Sequence, residues 1–333
     1  AIAMNKGVAV VVEMNRKLIE KRIEDGFCHK IYEDINSAFD VATDTKRNRQ
    51  ARIIGIVGNS AEVMPELVNE GIIPNIITDR TRANDPLTGY FPSGYSFMDA
   101  LRIRKNDPQY YTNLTNHSMM IQVKCMLQLQ QRGSLVFELG NNIRDKAANR
   151  GLYNSYGFPS FVTEYVYPVI TNDKLNFKWI ALSGESEDIF VIDDLIIEQF
   201  SDNPDLSRLI DMINKIIFHD PIPSRKCRLG QEEGLKLFKK INELVKNEEV
   251  SAPILMGIST FKGFIGDKEA ESEMNQPTND FLNKVIKNPT GASWISISYR
   301  GTAENYYVLS ESMLIADGSI EAEQRLEQIL LNK

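Results

Sequence analysis

The 333-residue chain carries 38 Lys and Arg against 45 Asp and Glu, a formal net charge of −7, with 42% hydrophobic and 25% charged residues. This is globular composition with enough apolar material for one large or two medium domains. The acidic balance argues against a nucleic-acid partner, which calls for a cationic surface, and no apolar run approaches the ~20 residues of a membrane span. No charged segment followed by an apolar stretch opens the chain, so no signal peptide is expected. Cys28, Cys125 and Cys227 are odd in number and far apart. They exclude a disulfide scaffold and suit a cytoplasmic protein, and without His-x-x-x-His or Cys-x-x-Cys spacing no metal site is expected.

Val8 to Val12 reads as a strand that ends in Glu13 and leads into a helix from Arg16 to Asp25. An acidic residue at a strand end can hold a ribose hydroxyl in dinucleotide-binding folds, although a solvated strand end is the commoner case. Arg52 to Val57 is a β-branched strand bounded by Gly58-Asn59, Ser60 is placed to cap a helix from Ala61 to Glu70, and Gly71 ends it. Ile76-Ile77 form a short strand that stops at Asp79. This βαβ rhythm predicts an α/β fold with a parallel sheet of Rossmann type built from about 8–12, 52–57, 75–78 and 135–138.

Residues 80–95 are polar, punctuated by Pro and Gly, and longer than a routine connection, which marks either a plain surface excursion, the commoner case, or a functional loop. A long helix from about Gln109 to Arg132 carries Met119, Met120, Val123, Met126 and Leu127 at core spacing. The strand Val136 to Glu138 runs into Gly140-Asn141-Asn142, a turn that can offer backbone N–H groups to an anion. An aromatic-rich stretch follows from Phe158. Helices are then expected over about 186–200, 203–217, 231–248 and 320–331, and strands over 252–258, 293–299 and 307–315. Two regions result: a Rossmann-like region over 1–145 and a second α/β region over 146–333.

Catalytic signals are sparse. His29, His117 and His219 lie in no nucleophile context. Cys227 lies among Arg225, Lys226 and Arg228, and cations lower a thiol pKa. It is expected as a loop thiol near the cleft between the two regions, facing the polar loop around Arg82, against the alternative of a small buried hydrophobe.

Five segments occur in fixed order: Gly58-Asn59-Ser60-Ala61-Glu62; Thr78-Asp79-x-Thr81-x-Ala83-x-Asp85-Pro86-Leu87-x-Gly89-Tyr90; Gly140-Asn141-Asn142-Ile143-Arg144; Trp179-x-Ala181-Leu182-Ser183-Gly184-x-x-Glu187-Asp188-Ile189; and Gly291-Ala292-Ser293-Trp294. Together they resemble urocanase, the urocanate hydratase family of histidine breakdown, over essentially the whole chain. The resemblance implies a cytoplasmic homodimeric lyase acting on a small molecule, urocanate, with tightly bound NAD+ as an electrophile and imidazolonepropionate as product. It implies cofactor contacts for Glu13, Asn59, Ser60, Thr81, Ala83, Tyr90, Phe91 and Gly301, and an active-site role for Cys227.

The departures are specific. The family's Asp-Gln-Thr-Ser-Ala-His reads Asp79-Arg80-Thr81-Arg82-Ala83-Asn84 here. Leu139 replaces a Tyr, Lys178 replaces an Arg, and Leu18 stands where many members have Arg. The His-His-Gly-Gly-Gly-Val-Gly run reads Ser298-Tyr299-Arg300-Gly301-Thr302-Ala303-Glu304. The family's Gly-rich phosphate loop does not precede Val8, so the chain as given is expected to bind NAD+ weakly or not at all. Three readings follow: a urocanase with impaired hydration, a degenerate homologue serving as a binding or regulatory protein, and a divergent enzyme on another anionic substrate held by Arg80, Arg82 and Arg300.

Overall fold

A computed structural model describes residues 2–166, 168, 175–202, 207, 208, 210, 222–265, 291–301 and 306–331. The expected helix over 203–217 and the turn holding His219 lie largely or wholly outside the described residues, as do Thr302 to Glu304. The chain divides into two compact units, Ala1–Tyr165 and Val166–Lys333.

The first unit runs β1 (Val8–Glu13), α1 (Arg16–Glu24), β2 (Lys30–Tyr32), α2 (Ile35–Arg47), β3 (Arg52–Val57), α3 (Ser60–Glu70), β4 (Ile76–Asp79), α4 (Phe97–Asn106), α5 (Pro108–Gln131), β5 (Leu135–Glu138) and α6 (Ile143–Ala148). Short polar side chains start the helices. Asn15, Asp34, Asn59, Ser96 and Asp107 each accept a backbone N–H of the first turn that the helix cannot satisfy itself. Asn59, rather than Ser60, is the cap of α3.

All four expected strands form and all pair in parallel, but in two ladders. β1, β3 and β2 make a three-stranded sheet in that order, and β4 pairs β5 from Ile76↔Leu135 to Asp79↔Glu138. β2 was not anticipated, because three residues are too few to show a strand pattern. One core joins the ladders: Ile54 and Ile56 of β3, Ile77 of β4 and Val136 of β5 bury with Met119, Val123 and Met126 of α5. The methionine stripe is therefore core. The unit ends about twenty residues beyond the expected boundary at 145 because Phe158 belongs to this core, Ser160 bridges to Glu138, and Phe161 and Tyr165 pack on Phe137.

The second unit contains β6 (Leu175–Ala181), α7 (Ser186–Gln199), β7 (Ser224–Leu229), α8 (Gln231–Lys246), β8 (Ile254–Ile265), β9 (Trp294–Gly301), β10 (Tyr306–Ala316) and α9 (Ile320–Leu331). Its sheet is antiparallel, in the order β7-β6-β8-β10-β9. Burial alternates along β6, and the inward residues Phe177, Trp179 and Ala181 join a core with Ile189 and Ile192 of α7, Phe238 and Ile241 of α8 and Leu326 of α9. No described helix is long and apolar enough to cross a membrane.

Candidate functional site

The carboxyl ends of the parallel strands carry the candidate residues, the position where open α/β folds bind ligands. Glu13 ends β1 directly opposite Val57, and its carbonyl accepts the Gly58 N–H at 3.1 Å. Glu13 and the Gly58-Asn59-Ser60 turn are thus adjacent. The Glu13 Oε1 accepts from the Asn15 N–H at 2.9 Å. Asn59 is buried; its Oδ1 accepts the Ala61 N–H at 2.9 Å and its Nδ2 donates to the Phe91 carbonyl at 2.9 Å. The same side chain that starts α3 therefore anchors the end of the long loop.

The start of that loop is anchored by Asp79. Gln122 Nε2 donates to its Oδ1 at 2.9 Å, Thr81 Oγ1 to its Oδ2 at 2.8 Å, and Asn141 Nδ2 also to Oδ2. Asn141 additionally donates to the Thr81 carbonyl at 2.8 Å. The Tyr90 hydroxyl donates to Gln122 Oε1 at 2.6 Å, and the Tyr111 hydroxyl to the Tyr90 carbonyl at 2.8 Å. Burial pushes the Asp79 carboxyl above its ordinary range despite the donors from Gln122, Thr81 and Asn141, and burial with Asp79 nearby holds the Tyr90 phenol well above its own. Ala83 is fully buried in the same core as Tyr90.

Seven of the expected residues, Glu13, Asn59, Ser60, Thr81, Ala83, Tyr90 and Phe91, therefore lie in one region of the first unit. The polar groups of Asn59, Thr81 and Tyr90 are committed to intrachain partners. Asp79, Gln122 and Asn141 hold the loop and were not anticipated as site residues. One signal was present: Gln122 interrupts the apolar positions 119, 123 and 126 of α5, and a buried polar residue there needs a partner.

The Gly140 turn does bind an anion, and the anion is the chain's own. The Gly140 and Asn141 N–H groups both donate to Glu138 Oε2, the latter at 2.9 Å. Arg144 Nη2 reaches Glu138 Oε1 at 3.1 Å, with both side chains buried. The Trp179 to Ile189 motif has a structural explanation of the same kind. Ser183 and Ser251 hydroxyls donate to Asp188 Oδ2 at 2.6 and 2.8 Å, and the Ser251 N–H donates to Oδ1 at 2.8 Å, tying the β6–α7 turn to the approach to β8.

Cys227 and Gly301 belong to the second unit. Gly301 ends β9, paired with Tyr306. Cys227 is not a loop thiol: it lies on β7 opposite Phe177 and is 9% exposed in the core. Strand alternation turns Lys226 and Arg228 to the other face, and Arg225, on the same face as Cys227, gives its Nε and Nη2 to Asp193 at 3.1 and 2.8 Å. Burial, with Glu233 nearby, pushes the thiol up to about 12. Its flanking cations therefore do not make a thiolate. Among the described residues no three His, Cys, Asp or Glu side chains gather as a metal site would require.

Comparison with protein families matches residues 1–165 to the Urocanase Rossmann-like domain and residues 168–333 to the Urocanase C-terminal domain. Matched by one or the other over almost every residue, the chain belongs to the urocanase, or urocanate hydratase, family.

Proposed function

We propose that this chain keeps the urocanase fold and the frame of its cofactor region, with hydration of urocanate impaired or lost. The observation that carries the reading is the alternation of the loop after β4. Asp79, Thr81 and Ala83, which agree with the family pattern, are the less exposed positions; Arg80, Arg82 and Asn84, which depart from it, are exposed. On this reading the less exposed positions are kept for the fold, while the chemistry that the loop's exposed side chains offer to a ligand is altered. Arg accepts no hydrogen bond and Asn moves no proton at neutral pH, so neither replaces the amide or imidazole of the family pattern.

NAD+ is the cofactor this reading takes from the family, with urocanate as small-molecule ligand, a homodimer as assembly and the cytoplasm as compartment. Glu13 at the end of β1 and the half-buried Ser60 at the start of α3 suit a ribose, since Glu13 Oε2 has no hydrogen-bond partner among the described residues. The Gly140 turn does not suit a pyrophosphate, because Glu138 already fills it. When bound, the nicotinamide would supply an electrophilic ring; the residues here would do no more than orient its ribose. Isothermal titration with NAD+ tests the reading. The expected result is a dissociation constant well above micromolar, and micromolar binding accompanied by loss of urocanate absorbance would restore an intact enzyme.

A further inference from the structure

Arg80 and Arg82 have no part in the network just described, yet that network fixes the backbone that carries them. Arg80 lies between Asp79 and Thr81, whose side chains are bonded to each other at 2.8 Å. Arg82 is held on both sides: its N–H donates to the Gly89 carbonyl at 3.2 Å, and its own carbonyl accepts the Asp85 N–H at 3.0 Å. Gly89 approaches so closely that a Cβ there would lie 2.0 Å from the Arg82 carbonyl oxygen. Backbone hydrogen bonds tie the loop at Arg82, and both arginines, two residues apart, are exposed.

Neither arginine has an ion pair among the described residues, in a chain with more acidic than basic side chains. The carboxylate nearest in sequence, Asp85, does attract Arg82. It is already engaged in its own turn, however, accepting the Leu87 and Thr88 N–H groups at 3.1 Å each and the Thr88 hydroxyl. The loop also leaves the carboxyl end of β4, where this class of fold binds ligands.

We propose that Arg80 and Arg82 form an oxyanion clamp that takes a terminal phosphate group, as a dianion, in preference to a single carboxylate. A guanidinium is a planar fork of donors that matches two oxygens of a phosphate. Two exposed forks two residues apart can share three phosphate oxygens and two charges, whereas a monocarboxylate fills one fork and neutralises one charge. Because the backbone is already ordered, binding costs only side-chain freedom. The clamp does not depend on NAD+ or on urocanate chemistry.

The test is isothermal titration of the 333-residue chain at low ionic strength, where charge interactions are least screened. Inorganic phosphate and acetate are titrated separately into the wild type, Arg80→Gln/Arg82→Ser, each single substitution, and Arg47→Gln, which removes an exposed arginine paired with Asp44. Phosphate is expected to bind at one site, at least tenfold more weakly in the double variant, severalfold more weakly in each single variant and unchanged in Arg47→Gln. Acetate is expected to bind the wild type at least tenfold more weakly than phosphate. No phosphate binding by the wild type, equal losses in the double variant and Arg47→Gln, or equal affinity for acetate would overturn the clamp. NAD+ titrated in the same series reports separately on the function proposed above: micromolar NAD+ affinity would sink that reading and leave the phosphate comparison to decide the clamp.

Discussion

At the scale of single residues, burial decides what each polar group can do. Cys227 is surrounded by cations in sequence and by apolar side chains in space, and its thiol pKa rises instead of falling. Iodoacetamide at pH 8 should leave it unmodified in the native protein and label it once the chain is unfolded, as mass spectrometry would show; rapid native labelling would restore an activated thiol. The sign of its pH effect follows. An unfolded thiol loses its proton near pH 8.5, while the folded one keeps it to about 12. The unfolded state then binds fewer protons, so stability contributed by this group is fully present below about pH 8.5 and is lost as pH rises toward 12. Denaturant midpoints over that range should fall more steeply for the wild type than for Cys227→Ala. On the same face, Asp193 and Arg225 are a buried ion pair. Asp193→Ala removes the carboxylate that accepts from Arg225 Nε and Nη2 in a buried site and should lower unfolding free energy, by up to about 3–5 kcal/mol, read from chemical denaturation; a loss within measurement error would contradict a stabilising role for the pair.

At the scale of elements, periodicity and punctuation foretold many of the strands and helices, and passed over α2, α4, β2, β6 and β7. β2 has three residues, too few for a pattern. β7 reads Ser-Arg-Lys-Cys-Arg-Leu, polar enough to pass for a loop, and becomes a strand because β6 offers it a six-residue antiparallel register. The motif residues were visible, but their intrachain bonds were not, since nothing local in the sequence links Asp79 to Gln122 on α5 or Asn141 beyond β5. Close approach of elements is equally invisible until they pack. α8 lies on β6 at Gly234, where an added Cβ would fall 1.9 Å from Phe177 Cζ. That ring cannot swing away, being fully buried and set edge-on to Phe238 at 5.2 Å. Gly234→Ala should gain about 1 kcal/mol of helix propensity and lose about 1–3 kcal/mol to overpacking. A net loss of stability in urea titration is therefore expected, and a more stable variant would contradict the packing.

At the scale of the whole molecule, two units with separate cores preserve a family architecture that the βα rhythm of the first half and the ordered motifs of the whole chain foreshadowed. Over residues 79–84 of the long loop the departures from the family pattern are the exposed positions, and the agreements Asp79, Thr81 and Ala83 are the less exposed ones, which join the core and the Asp79 network. Selection for folding alone would keep the second set and release the first; selection for urocanate hydration would hold both. The ultraviolet absorbance of urocanate, followed over hours with excess NAD+ and the purified 333-residue chain, separates the two most directly. The account predicts no loss of absorbance beyond a protein-free control, and steady, enzyme-proportional disappearance of urocanate would contradict it.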